Sequence, residues 1–194
     1  MPRLIALLRA INVGGRNVAM AELRRQFEAV GCKGVETFIA SGNVIFSPPA
    51  MNVGALQQRL EEQLRKSLGY EVKVFIRTES EIAVVARHQP FHESQLRSAR
   101  TFSVGFLNEP PGVAAAKSVM ALKSEIDDFE VRGREVYWLC QRVQSKSRFS
   151  NARFEKLVKT LGTWRGMNTI VRLAAKYPPL LPSLDARDGT AKRD

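Results

Sequence analysis

The residues best suited to chemistry in this 194-residue chain are arginines, asparagines and a serine set beside glycines. Near the N-terminus Asn12, Gly14, Gly15 and Arg16 follow the apolar run Leu4 to Leu8, and Ser41-Gly42-Asn43 separates two further apolar runs. Glycine-rich backbone ahead of a helix offers amide donors to an anion, and a guanidinium adds a two-pronged contact to phosphate or carboxylate. The same residues also suit plain turns, in which the glycines reverse the chain, Ser41 and Asn43 satisfy local backbone groups and Arg16 is solvated. Gly-Gly-Arg lacks the Lys-Ser/Thr pair of a Walker loop, and Ser41 has neither a nearby histidine nor a G-x-S-x-G context to activate it.

A second set is basic. Arg132, Arg134, Lys146, Arg148, Arg153 and Arg165, with Phe149 and Trp164 interleaved, are the types that neutralise phosphates and stack on bases. Residues 132–176 hold eleven basic side chains against Glu135 and Glu155, a local excess of +9 within a formal net charge of +11. The plainer alternative is a solvated basic face with the aromatics in the core. The strands that could carry it lack the aromatic signature of an RNA-recognition module, which argues against that fold. His88 and His92 stand four apart, a metal-binding spacing on a helix, but Pro90 between them breaks the geometry, so no metal is expected. Cys32 and Cys140 have neither zinc-site nor disulfide-framework spacing and read as reduced thiols. No cofactor is expected, and no catalytic signature decides whether the chain is an enzyme.

These residues need a scaffold, and 44% hydrophobic content is enough for a buried core. The apolar runs are far shorter than the roughly 20 residues needed to span a bilayer, and Arg9 interrupts the first before it could serve as a signal-peptide core. The expectation is a cytoplasmic protein without membrane contact. A strand over residues 3–11 leads into the glycine turn. Met20, Leu23, Phe27 and Val30 then recur at helical spacing, with Asn17 as N-cap and Glu22 near the positive end of the helix. Val35 to Ile39 and Val44 to Phe46 read as a hairpin, Leu56, Leu60, Leu64 and Leu68 as an amphipathic helix ending at Gly69, and Glu71 to Arg77 as a fourth strand. The order βαββαβ is that of a ferredoxin-like sandwich with strand order 4-1-3-2.

A linking helix from Glu79 to Arg87 precedes an imperfect second round. It comprises a strand at 101–107, a helix from Val113, a hairpin turning at Arg132-Gly133-Arg134, and a helix capped by Ser150 with the apolar stripe Phe154, Leu157, Val158 and Leu161. Residues 167–175 favour helix, with Thr169 to Leu173 as an alternative closing strand. The fold class is therefore α+β, two tandem ferredoxin-like halves with helices packed on one face of antiparallel sheets, over residues 1–78 and 79–176. A loose tail occupies 177–194.

The runs Ala6 to Gly15, Met20 to Leu23 and Ile39 to Phe46 together resemble the bacterial family of domains of unknown function numbered 1697. The stretch Gly162-Thr163-Trp164-Arg165-Gly166-Met167-Asn168-Thr169 resembles a second block of that family, with Gly166 and Met167 standing where Asn and Trp are usual. The resemblance implies a cytosolic bacterial protein of two ferredoxin-like halves and carries no activity with it. The residues themselves point to a protein that binds a negatively charged ligand, nucleic acid first. One alternative is an enzyme or sensor for a small phosphorylated or carboxylated molecule at Gly14-Gly15, and another is a protein-interaction module using a sheet face or edge. Ligand identity and oligomeric state stay open.

Overall fold

Both faces of the first strand are covered, which is why β1 (Leu4–Leu8) is apolar at every position and buried along its whole length. In the computed structural model, residues 3–11, 17–40 and 42–179 are described. After β1 come α1 (Met20–Ala29), β2 (Lys33–Phe38), β3 (Asn43–Ser47), α2 (Val53–Leu68), β4 (Val74–Thr78) and α3 (Glu79–Arg87). The short α4 (Glu93–Ser98) links to β5 (Thr101–Phe106), α5 (Val113–Met120), β6 (Asp127–Arg132), β7 (Glu135–Cys140), α6 (Asn151–Val158), β8 (Thr163–Gly166) and α7 (Met167–Lys176). The strands form two four-stranded antiparallel sheets, ordered β2-β3-β1-β4 and β6-β7-β5-β8. The second sheet repeats the permutation of the first, and each half ends in a further helix, α3 or α7.

Alternation along the strands divides the side chains between three cores. Leu4, Ala6 and Leu8 point to α1 and α2, whose Leu23, Phe27, Leu56, Leu60 and Leu64 complete the first. Ile5, Leu7, Ile45 and Phe75 face the other way, where Val104, Phe106, Tyr137 and Leu139 of the second sheet meet them together with α3 and α7. Trp138, Cys140, Phe154 and Val158 belong to the third, under α5 and α6. The two sheets thus pack face to face through a shared core, which joins the two repeats into one molecule.

Several local expectations are corrected. The first strand stops at Leu8 because Ala10 takes a left-handed φ of 66°, so the ladder cannot run on to Ile11. The first helix is capped by Ala19 rather than Asn17, with no side-chain bond. Residues 167–176 are helix as expected, and the closing strand is not the alternative Thr169 to Leu173 but the preceding four-residue β8, paired with Ser103 to Phe106 of β5. Lys159 in left-handed geometry ends α6 before Leu161. Tyr177, assigned to the tail from sequence, is buried and donates its hydroxyl to Glu36 at 2.8 Å; residues 180–194 of that tail lie outside the described residues.

Candidate functional site: the cleft between the halves

Two buried arginines, one at the end of each fourth strand, cross from their own sheet into the other. Arg77 of β4 donates from Nε to Glu135 at 2.7 Å, and its terminal nitrogens donate to the carbonyls of Ile76 at 2.9 Å, Leu107 at 2.7 Å and Arg134 at 3.4 Å. Arg165 of β8 donates from Nε to Asn43 Oδ1 at 2.7 Å, and its terminal nitrogens reach the carbonyls of Trp164 at 2.8 Å, Leu8 at 2.8 Å and Gly42 at 3.4 Å. Leu8 and Leu107 end or follow the central strands, and Asn43 and Glu135 each open the third strand of their half. The two arginines are therefore related by a pseudo-twofold that exchanges the halves, and their hydrogen bonds match partner for partner. Arg165 makes one bond more, to Thr163 Oγ1 at 2.9 Å.

The charges do not match. Glu135 neutralises Arg77, and Glu81 at the third position of α3 pairs with Arg134 beside it. The equivalent positions around Arg165 hold Asn43 and Thr169, both neutral. Burial pushes the Arg165 guanidinium down to about 10, with no carboxylate offsetting it. Burial also lowers Arg77, but there Glu135 and Glu81 pull the other way.

Arg165 forms part of the wall of an open cleft of about 520 Å³. Leu8 to Ile11 make one side, Ile39 and Ala40 another, and Gly162 to Gly166 with Asn151 and Thr169 the rest. Among the described residues the lining contains two arginines and no carboxylate. Arg9 is anchored from behind by Glu155 at 3.0 Å and by the Gly162 carbonyl at 3.2 Å. The first turn of α7 opens here after Gly166, an N-cap without a side-chain bond, so its amides add positive dipole. Ala10 at φ 66° and Ile39 at φ 50° are two of the three non-glycine residues with positive φ among those described. For β-branched Ile39 this is a strained geometry of the kind that clusters at functional sites. Gly42 must be glycine: its φ is +71°, and a Cβ would sit 3.1 Å from Leu8 Cβ and 3.2 Å from Ile11 Cβ.

Of the first sequence-derived set, Asn12, Gly14, Gly15, Arg16 and Ser41 lie outside the described residues, although their neighbours Ile11 and Ala40 line the cleft. Asn43 is fully buried. Its Nδ2 donates to the Phe38 carbonyl at 3.1 Å while its Oδ1 holds Arg165, so it positions the arginine.

The basic set divides. Lys146, Arg148 and Arg153 line a second cleft of about 520 Å³ with Lys123 and Phe149, and make no ion pair among the described residues. Arg134 is paired with Glu81, and Arg132 bonds His88 Nδ1 at 2.7 Å. Arg165 leaves this surface altogether, because its guanidinium is needed between the halves. His88 also meets Glu130 at 2.6 Å, whereas His92 caps α4, so the two rings serve different partners. Cys32 and Cys140 are both free and buried, and burial pushes the Cys32 thiol up to about 11.

Sequence reasoning passed over Arg9, Arg77 and Thr169. The available signal was Arg77 closing the run Val74-Phe75-Ile76, since a cation in a strand covered on both faces must find buried partners.

No helix among the described residues is long and apolar enough to cross a membrane. A comparison with curated proteins finds no match. Among solved structures, a conserved bacterial protein from Streptococcus pneumoniae is similar in fold, with a TM-score of 0.68 at 23% identity over 90% of this chain and 97% of that one. The family described as "Protein of unknown function (DUF1697)" matches residues 1–137, a span that includes β1, the hairpin before Asn43 and the whole Arg77 site. By that match, which covers well over half of its length, the chain belongs to the DUF1697 family.

Proposed function

We propose that the protein binds a small oxyanion, a phosphate or carboxylate group of a larger molecule, in the cleft between its halves. The carrying observation is the cleft's wall, which combines Arg9 and the buried, acid-free Arg165 with no carboxylate among the described lining residues. A cation held in low dielectric without a counter-charge projects its field into the nearest open space. Parts of three of the four stretches that carry the family resemblance border this cleft: Leu8 to Ile11, Ile39 and Ala40, and Gly162 to Gly166 with Thr169. Thermal unfolding at fixed ionic strength tests the reading. Inorganic phosphate at 100 times its dissociation constant adds about 2.7 kcal/mol of stability, roughly 5 to 10 °C for a chain of this size. Arg9→Gln weakens that gain; stabilisation no greater than that given by chloride overturns the proposal.

The second cleft supports a separate reading as a nucleic-acid surface, since Lys146, Arg148 and Arg153 line it beside Phe149 and make no ion pair among the described residues, although Glu125 and Asp127 line it too. Three or four phosphate contacts predict single-stranded RNA binding that falls steeply from 50 to 200 mM salt and is lost when all three become Ala. Binding that ignores salt removes this reading.

A further inference from the structure

The pseudo-twofold lets one half of the molecule report on the other. At the Arg77 end the counter-charge is built in: Glu135 Oε1 sits on Arg77 Nε, and Glu81 at the third position of α3 bonds the Thr78 amide, the Thr78 hydroxyl and Arg134. At the Arg165 end the same places in the fold hold Asn43 and Thr169, and the space beside them is the open cleft. Counting from either arginine, Glu81 and Thr169 are both four residues on, at the third position of the helix that follows. Arg77 and Arg165 otherwise make matching bonds apart from the extra one to Thr163, but the side chains that hold Glu81 have glycine counterparts, Gly166 for Thr78 and Gly42 for Arg134, so the Arg165 end lacks both the carboxylate and its side-chain donors.

We infer that the bound oxyanion occupies the place at the first turn of α7 that the Glu81 carboxylate occupies at the first turn of α3, an external counter-ion where the other half carries an internal one. This rests on the proposed function of the cleft and specifies its geometry. The anion is held by the α7 first-turn amides, the Thr169 hydroxyl and the free edge of Arg9. Arg165 has all its donors committed to neutral acceptors and contributes charge rather than contact. A single carboxylate or phosphate group is the matching ligand chemistry, because the place it fills is that of one glutamate carboxylate.

The test is to supply that carboxylate from the chain. Thr169 is half-buried on the cleft wall, and an acidic residue at the third position of a helix suits its dipole, so Thr169→Glu folds. Titration with inorganic phosphate, and separately with acetate, followed by calorimetry and thermal shift, should show at least tenfold weaker binding of both in Thr169→Glu. Thr169→Gln, equal in size to Glu and neutral, also loses the hydroxyl and gains the bulk, so it binds more weakly than the parent but at least tenfold more tightly than Thr169→Glu, whose ligand-free melting temperature is unchanged or higher. Parent-like phosphate affinity in Thr169→Glu overturns the inference, and so does an equal loss in Thr169→Gln, which would make the effect one of size. Preference for phosphate over acetate, or the reverse, identifies the ligand group. Absence of anion binding in the parent protein overturns instead the reading on which the inference rests.

Discussion

Exchanging each clasping arginine for methionine separates the two ends of the pseudo-twofold by energy. Arg77→Met keeps the bulk of the side chain but strands the Glu135 carboxylate, whose side chain is only 15% exposed. Breaking a buried ion pair from one side costs about 3–5 kcal/mol, because the remaining charge stays desolvated. Arg165→Met takes a donor only from neutral acceptors, Asn43 Oδ1, Thr163 Oγ1 and the carbonyls of Leu8, Gly42 and Trp164, and the Gly42 carbonyl keeps the Leu8 amide at 2.8 Å. Each buried acceptor left without a donor costs about 1–3 kcal/mol, but removing a buried cation that had no counter-charge recovers much of that sum. The net is about 1–3 kcal/mol, roughly 2 below Arg77→Met. Adding Glu135→Gln to Arg77→Met removes the stranded charge and restores about 2 kcal/mol, a non-additivity expected of residues in contact. Urea unfolding followed by circular dichroism, with unchanged m-values, measures all three differences. Equal costs for the two methionine variants, or no rescue by Glu135→Gln, would refute the account of asymmetric charge.

Gly105 lies opposite Trp164 across β5 and β8, and a Cβ there would meet the indole at 2.8 Å, so Gly105→Ala should cost about 1–3 kcal/mol and shift the Trp fluorescence. Unfolding curves and emission spectra check both, and an unmoved spectrum would show that Trp164 does not bear on that strand. Glu81 lies below its ordinary value: burial pushes it up, but hydrogen bonds from Thr78 and Arg134 outweigh that push. Its contribution is therefore fully present above about pH 4.5 and is lost as pH falls through the lower folded value. Glu81→Gln should cost about 1 kcal/mol at pH 7, a modest figure because 40% of the side chain is exposed, and nothing at the acid end of a pH series of denaturation midpoints.

Periodicity carried most of the fold. The spacing of Leu56, Leu60 and Leu64, the glycine stop at 69 and the hairpin at Gly133 each match a local rule, and the repeated βαββαβ order follows from them. What escaped was set by tertiary contact. The four-residue β8 is too short to show alternation and exists because β5 offers it an edge. Leu8 ends β1 because Ala10 turns away, and no residue type there announces it. The basic set illustrates the same limit for function: composition grouped Arg165 with Lys146, Arg148 and Arg153, while the packing of two sheets drew it into the interior. Only the juxtaposition of the halves shows that Asn43 and Thr169 stand where Glu135 and Glu81 stand in the other.

The most direct test of anion binding between the halves is a titration of isotopically labelled protein with inorganic phosphate, followed by amide chemical shifts. The account predicts saturable shifts in Leu8 to Ile11 and in Thr163 to Thr169, with Lys123 and residues 146–153 unmoved at constant ionic strength. Shifts centred on Lys123 and residues 146–153 would contradict it by placing the anion in the second cleft, and a spectrum without saturable shifts would leave the uncompensated charge of Arg165 as a feature of packing alone.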